Sequence, residues 1–271
     1  MKKVICLLLA LLLSAALFVG CDLQNRRPSS DFIPVTEPTE STAPPETVTE
    51  EPTVESTAAV MQVVVRDAGT PIEGAYTDRY GNNYKYKYHV PYIDAEAEYA
   101  QGCNKEIDQV FGMEVKKQQN AMLDGSTLTI ASVDYMTRLR GNILTLYVTM
   151  KDFEGEQTRR VYMLNRNTGK EIPGEELLAF LGVDGDTFLA LAEQTVEAAF
   201  EETYGESRWT DQLAYNSAHD RTMRAENISL EMPMYIDESD RLTILATIYD
   251  LAGAAHLEPL VVELEQPAEE S

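Results

Sequence analysis

Carboxylates and tyrosines dominate the reactive side chains of this chain, which has 45 Asp plus Glu and 14 Tyr but only three His in 271 residues. A run of alternating side chains, Tyr84, Tyr86 and Tyr88 on one face and Lys85, Lys87 and His89 on the other, gives a tyrosine ladder with strand periodicity. Such a ladder can stack on sugar rings or cover a sheet face beneath a helix. An acidic loop follows later at Asp152, Glu154 and Glu156, and these six residues are the candidate ligand contacts. His89, His219 and His256 lie in separate segments and read as structural or exposed, so no metal site is expected. Asp184-Gly185-Asp186 places two carboxylates at a helix start. Without further ligands and a distal Glu, capping explains them better than calcium.

Catalytic signatures are missing: no G-x-S-x-G elbow, H-E-x-x-H, P-loop or paired C-x-x-C occurs. A carboxylate-dependent cell-wall hydrolase would need an acid pair drawn from Asp134, Glu154, Asp184 and Asp186, set at glycosidase-like separation. Cys103 shares a helical stripe with Tyr99, Ile107 and Val110, which points to a buried thiol rather than a nucleophile. The expected catalytic residues, metals and cofactors are therefore none.

The elements that must position these residues come in blocks. Strands are read near Met61–Val65 and Tyr84–Tyr92, with a turn over Gly69–Gly74 between them. A helix is read over Ala95–Ala121, N-capped by Asp94 and closed at Asp124-Gly125. Three strands, Thr127–Leu139, Asn142–Lys151 and Gln157–Asn165, are joined by turns short enough to require an antiparallel meander. Pro173-Gly174 opens a short helix that stops at Gly182. A longer helix carries Phe188, Leu191, Ala192, Val196, Ala199 and Phe200 inward, and a further helical segment lies around Trp209–Met223. Clean alternation over Ile228–Ile236, Leu242–Ile248 and Leu260–Leu264 ends the pattern as strands. Blocks rather than strict alternation imply an α+β fold, a mostly antiparallel sheet with helices packed on one side.

Ahead of this block, Met1-Lys2-Lys3 and the uncharged apolar run Val4–Val19 read as a signal peptide over 1-20. Its end, Leu17-Phe18-Val19-Gly20-Cys21, resembles a bacterial lipobox, which implies that Cys21 is lipidated and anchors the chain to the membrane. Residues 21-60 are rich in Thr, Glu, Pro and Ser and cannot bury enough apolar surface to offset their ordering entropy. They read as an extended tether reaching on the order of 100 Å at about 3.1 Å per residue. One α+β domain is expected over 61-265, with a short tail at 266-271. The net charge of -23 argues against nucleic acid and anionic surfaces and favours cationic partners, with a rate sensitive to salt. With one cysteine in the folded part no disulfide framework is possible, and a monomer is expected.

The order of motifs resembles a known extracytoplasmic domain of bacterial surface proteins. It runs from Tyr88-x-x-Pro91 and Asn104-x-x-Ile107 through Gly141-Asn142-Ile143-Leu144-Thr145-Leu146 to Val161-Tyr162-Met163-Leu164-Asn165-x-x-Thr168-Gly169-Lys170-x-Ile172. Tyr235-Ile236-Asp237-Glu238 and Ala252-Gly253-Ala254 then resemble its final strands. That family, of unassigned general function, occurs in lysozyme-sensing anti-sigma factors and beside the catalytic domain of some peptidoglycan deacetylases. The resemblance implies a non-catalytic module that binds an envelope ligand, a cationic protein such as lysozyme or a wall fragment. The loop Asp152–Thr158 departs from the Gly-Ala-His-Gly-like sequence of relatives, and no segment here resembles a cytoplasmic anti-sigma part or a deacetylase. The alternatives are the hydrolase above and a structural lipoprotein without a soluble ligand.

Overall fold

The computed structural model describes residues 62–264; the expected leader, Cys21, the tether and the tail lie outside these residues. The chain folds into two short opening strands, β1 (Val64–Asp67) and β2 (Ile72–Thr77), then β3 (Asn83–Tyr88) and β4 (Pro91–Asp94). Gly74, expected in a turn, sits inside β2, where Tyr86 lies so close that a Cβ would stand 2.9 Å from its hydroxyl. Helices α1 (Glu98–Ile107) and α2 (Met113–Asp124) flank a single π turn, Asp108–Gly112. The expected continuous helix therefore carries one extra residue at its middle. Gly112 allows it, since a Cβ there would stand 2.5 Å from Asp108 Oδ1.

Asp94 does not cap this helix. It ends β4 in an ion pair with Arg66 at 3.4 Å, and Ala97 takes the N-cap with no side-chain bond. The helix is instead docked by Asn104, whose amide donates to Ile93 O and accepts from Ile93 N, each at 2.8 Å. Gly125, at φ 78, ends it in the left-handed region that a glycine enters without steric cost.

The meander is as expected: β5 (Ile130–Arg140), β6 (Ile143–Asp152) and β7 (Gln157–Asn165) pair antiparallel in succession. β3 joins β5 in parallel, giving a five-stranded sheet of order β2-β3-β5-β6-β7. After α3 (Gly174–Leu181), α4 (Gly185–Tyr204), α5 (Ser207–Thr210) and α6 (Gln212–Thr222) come β8 (Met234–Ile236), β9 (Leu242–Tyr249) and β10 (Ala255–Val261). These three form a second antiparallel sheet, β10-β9-β8.

The alternation over Ile228–Ile236 yields only three strand residues. Pro233 has no N–H to give, Met232 N turns back to Ser229 O, and Tyr249 N on β9 donates to Thr222 Oγ1 of α6. β10 likewise begins earlier than expected and ends at Val261. Pro259 is tolerated inside it because β10 is an edge strand.

The α+β class with mostly antiparallel pairing thus stands, and each sheet carries helices on one face. α1 and α2 cover the five-stranded sheet over Val133, Leu146, Val148 and Leu164, all at 0% exposure, with Phe111 between them. α4 and α6 cover the three-stranded sheet through Phe188, Ala192, Val196, Phe200, Tyr215 and Ala218. Each such side chain, fully buried, contributes about 1.5–3 kcal/mol if large and apolar. The remaining faces of the two sheets meet. Arg138 on β5 ties this meeting from one end, donating through Nε at 2.9 Å and through Nη2 to the carboxylate of Asp240 in the β8–β9 hairpin.

Candidate functional site

The tyrosine ladder lies on the helix-covered face of the five-stranded sheet. Tyr88 is 2% exposed and donates to Ile130 O at 2.7 Å, while Tyr84 and Tyr86 keep part of their surface. Tyr84 stacks with Tyr76 at 6.3 Å and meets Phe153 edge-on at 4.9 Å. Because Phe153 sits in the β6–β7 loop, this contact brings the ladder against the acidic turn. That turn is organised by Asp152, whose Oδ1 accepts from the backbone N–H of Glu154, Gly155 and Glu156 at 2.7–2.9 Å, leaving the Glu154 and Glu156 side chains exposed.

A tie not anticipated from the ladder lies beside it. Asp78, 4% exposed, accepts from the backbone N–H of Tyr80 and Asn82, from the Asn82 amide, and from the hydroxyls of Tyr84 and Thr127. Burial pushes its carboxyl up, but hydrogen bonds from Asn82, Tyr80 and Thr127 outweigh that and hold it down at about 2. The signal was local: Asp78-Arg79-Tyr80-Gly81-Asn82 has the composition of an Asx turn.

The remaining reactive groups are engaged singly. Asp134 holds Lys87 at 2.6 Å, and Asp184 caps α4 by accepting from the Thr187 hydroxyl at 2.6 Å and from Thr187 N at 2.9 Å, which in that order lower its pKa. His89 sits between Glu73 at 2.6 Å and Asp67 at 3.6 Å, His219 bonds Glu197 at 2.7 Å, and His256 lies 3.8 Å from Glu258. Among the described residues no group of three or more His, Cys, Asp or Glu could hold a metal. Cys103 is 4% exposed, and burial pushes its thiol up to about 11, so it is not a thiolate near neutral pH.

Apart from a cavity of about 690 Å³ at the β1–β4 end, beside Val63, Tyr92 and Asn167, concave surface lies where the two sheets meet. One cavity of about 680 Å³ opens between Gln157–Arg160 of β7 and Ala255–Glu258 of β10, with Glu156, Asp250 and Glu258 at its rim. A second, of about 400 Å³, continues along β7 past Val161 and Met163 to Met232 and Met234, rimmed by Glu171, Glu175 and Glu231. The first cavity sets its acids beside Arg159, Arg160 and His256, and the second is edged by acids over an apolar strip of Val161, Met163, Met232 and Met234.

Polar groups lie buried between the two sheets beside this groove. Arg159, only 9% exposed, donates through Nη1 to Leu257 O of β10 and holds Nη2 at 3.6 Å from Glu258. Its Nε, the hydroxyl of Thr145 and the hydroxyl of Thr243 are buried without a hydrogen-bond partner among the described residues. Tyr147 stacks on Tyr235 at 5.0 Å with planes 10° apart. Burial raises both phenols, and the Arg159 guanidinium works against this at Tyr147. Of the six candidate contacts only Glu156 lines this groove. The legible signal for Arg159 was two consecutive arginines in a strand, which must send one guanidinium to each face.

No family model matches the chain, and no curated protein matches it. A solved structure that it is similar to is that of a member of the DUF3298 family from Bacteroides fragilis. The two are 8% identical with a TM-score of 0.31, over 74% of this chain and 91% of that one.

Proposed function

We propose that this chain is a lipid-anchored, extracytoplasmic binding protein. Cys21 carries the anchor, residues 21-60 hold the α+β domain away from the membrane, and the domain takes a cationic envelope ligand without transforming it. The ligand is a basic protein such as lysozyme or a basic wall fragment. The observation that carries this reading is the groove beside β7, whose rim holds Glu156, Asp250 and Glu258 at one end and Glu171, Glu175 and Glu231 at the other. With a net charge of -23 behind it, that rim attracts cations at long range, and the apolar strip beneath gives a bound side chain something to bury against.

The test is titration of the full chain with lysozyme at about 10 mM and about 150 mM salt, where the Debye length falls from about 30 Å to about 8 Å. A fitted interface keeps measurable affinity at the higher salt, because close contacts are screened little. Binding at neither concentration removes lysozyme as the ligand, and binding only at the lower one reduces the interaction to general charge attraction.

A further inference from the structure

Edge strands expose unpaired backbone groups, and proteins that leave one open at a groove use it to bind another strand. β7 is the outer strand of the five-stranded sheet and β10 the outer strand of the three-stranded sheet, and the cavity of about 680 Å³ lies between them. The two edges are differently guarded. On β10, Pro259 has no N–H and Leu257 O is already held by Arg159.

On β7, Asp152 N donates to Glu156 O, which turns Glu156 and every second residue after it toward β6. Gln157, Arg159 and Val161 therefore direct their N–H and C=O to the groove. Beyond them the edge is closed, since Ile172 N donates to Met163 O and Asn165 N to Lys170 O. Arg159 O accepts from Arg160 Nη1 at 2.9 Å, and Arg160 in turn reaches Glu106 at 3.1 Å. The outward backbone groups of Gln157 and Val161 have no hydrogen bond among the described residues.

We infer that the free edge of β7 from Gln157 to Val161 takes an extended, basic peptide segment as an added strand. This rests on the cationic-ligand reading above and says how such a ligand is held. The added strand pairs with the outward groups of Gln157 and Val161 and with the N–H of Arg159, whose carbonyl is already taken by Arg160. Its basic side chains meet Glu156, Asp250 and Glu258, and its alternate apolar ones lie along Val161, Met163 and Met232. Charge selects this occupant over the two nearest competitors. A second copy brings a net charge of -23, and the chain's own residues 21-60 are rich in glutamate.

The experiment compares two capped hexapeptides of alternating Lys and Val, one unmodified and one N-methylated at every residue. The second keeps charge and side chains but has no backbone donor. Binding to the full chain is read by calorimetry at about 150 mM salt, where charge attraction alone is short-ranged. Strand addition predicts at least a tenfold weaker Kd for the methylated peptide. It also predicts a comparable loss in the variant Gln157→Pro, which gives β7 the guard that Pro259 gives β10, with circular dichroism confirming the fold. Equal binding of the two peptides overturns strand addition while leaving a charge-driven ligand in place. No binding of either overturns it also, and the lysozyme titration then decides the broader reading separately. A dimer that the peptide does not dissolve assigns the edge to a second copy and overturns the basic occupant.

Discussion

The five-stranded sheet has two faces made by the same strands, and they are built to different rules. Toward α1 and α2 the paired residues Leu146 and Tyr162, or Leu144 and Leu164, close into an apolar layer under Phe111 and Ile107. One residue along, the same strands turn Asp134, Thr149 and Arg159 the other way, toward the second sheet. Three polar atoms lie buried and unpartnered on that side, at Thr145, Arg159 and Thr243, against one on the helix side, the Tyr162 hydroxyl, and a cavity opens beside Arg159. Each of these costs stability, because an unpaired buried polar group costs on the order of 1–3 kcal/mol. The helix face is the more apolar of the two, and the inter-sheet face carries more polar groups at a stability cost.

Substitutions that separate the two faces should differ most in stability. Leu146→Ala, in the closed face at 0% exposure, is expected to cost about 2–5 kcal/mol, roughly 5–15 °C in Tm for a domain of this size. A denaturant melt that shows less than about 1 kcal/mol would break the comparison.

Asp78, which ties the β2–β3 hairpin to Thr127 at the margin of the helix face, should dominate the acid limb. Its folded-state carboxyl is held down at about 2, so its contribution is present above the unfolded value of about 3.9 and is lost as pH falls through about 2. Asp78→Asn should lower Tm at pH 7 and flatten the fall in Tm between about pH 4 and 2; an unchanged acid limb would assign that limb to other carboxylates.

Arg159→Met is the complementary change. Its partner Glu258 keeps 40% exposure and is not stranded in an apolar interior, so stability should move by no more than about 1 kcal/mol, while loss of a cation from the groove should tighten binding of the basic hexapeptide. A loss as large as that of Leu146→Ala would make Arg159 a structural residue and erase the contrast. Smallest of all is the effect at Cys103. Its thiol, pushed up to about 11 by burial, adds stability below the ordinary value of 9.0 that is lost as pH rises toward 11, and a thiol reagent at pH 8 should label it only on unfolding.

How far the sequence disclosed these faces follows from the range of the interactions. α4 was legible because its cap and its stripe are local: Asp184 binds Thr187, and Phe188, Ala192, Val196 and Phe200 recur at helical spacing. β7 was legible to the residue because turns bound it on both sides. The β8 segment was not, since alternation in Ile228–Ile236 says nothing of whether a partner strand is present, and α6 occupies that place through Thr222. The groove was the least legible feature. It is made by Arg159 and Leu257, separated by 98 positions, and period-two alternation tells that a strand has two faces without telling what covers each.

The Arg138–Asp240 pair, which ties the β8–β9 hairpin to β5, joins residues 102 positions apart. The β5–β6–β7 meander closes through turns of a few residues, so its loop-closure entropy is small, whereas the attachment of the second sheet must wait for a long loop to be drawn in. The groove is therefore the last part of the molecule to come into being during folding. In pulse-labelled hydrogen exchange, β6 amides should gain protection before those of β8 and β9, and Asp240→Ala should slow only the later step.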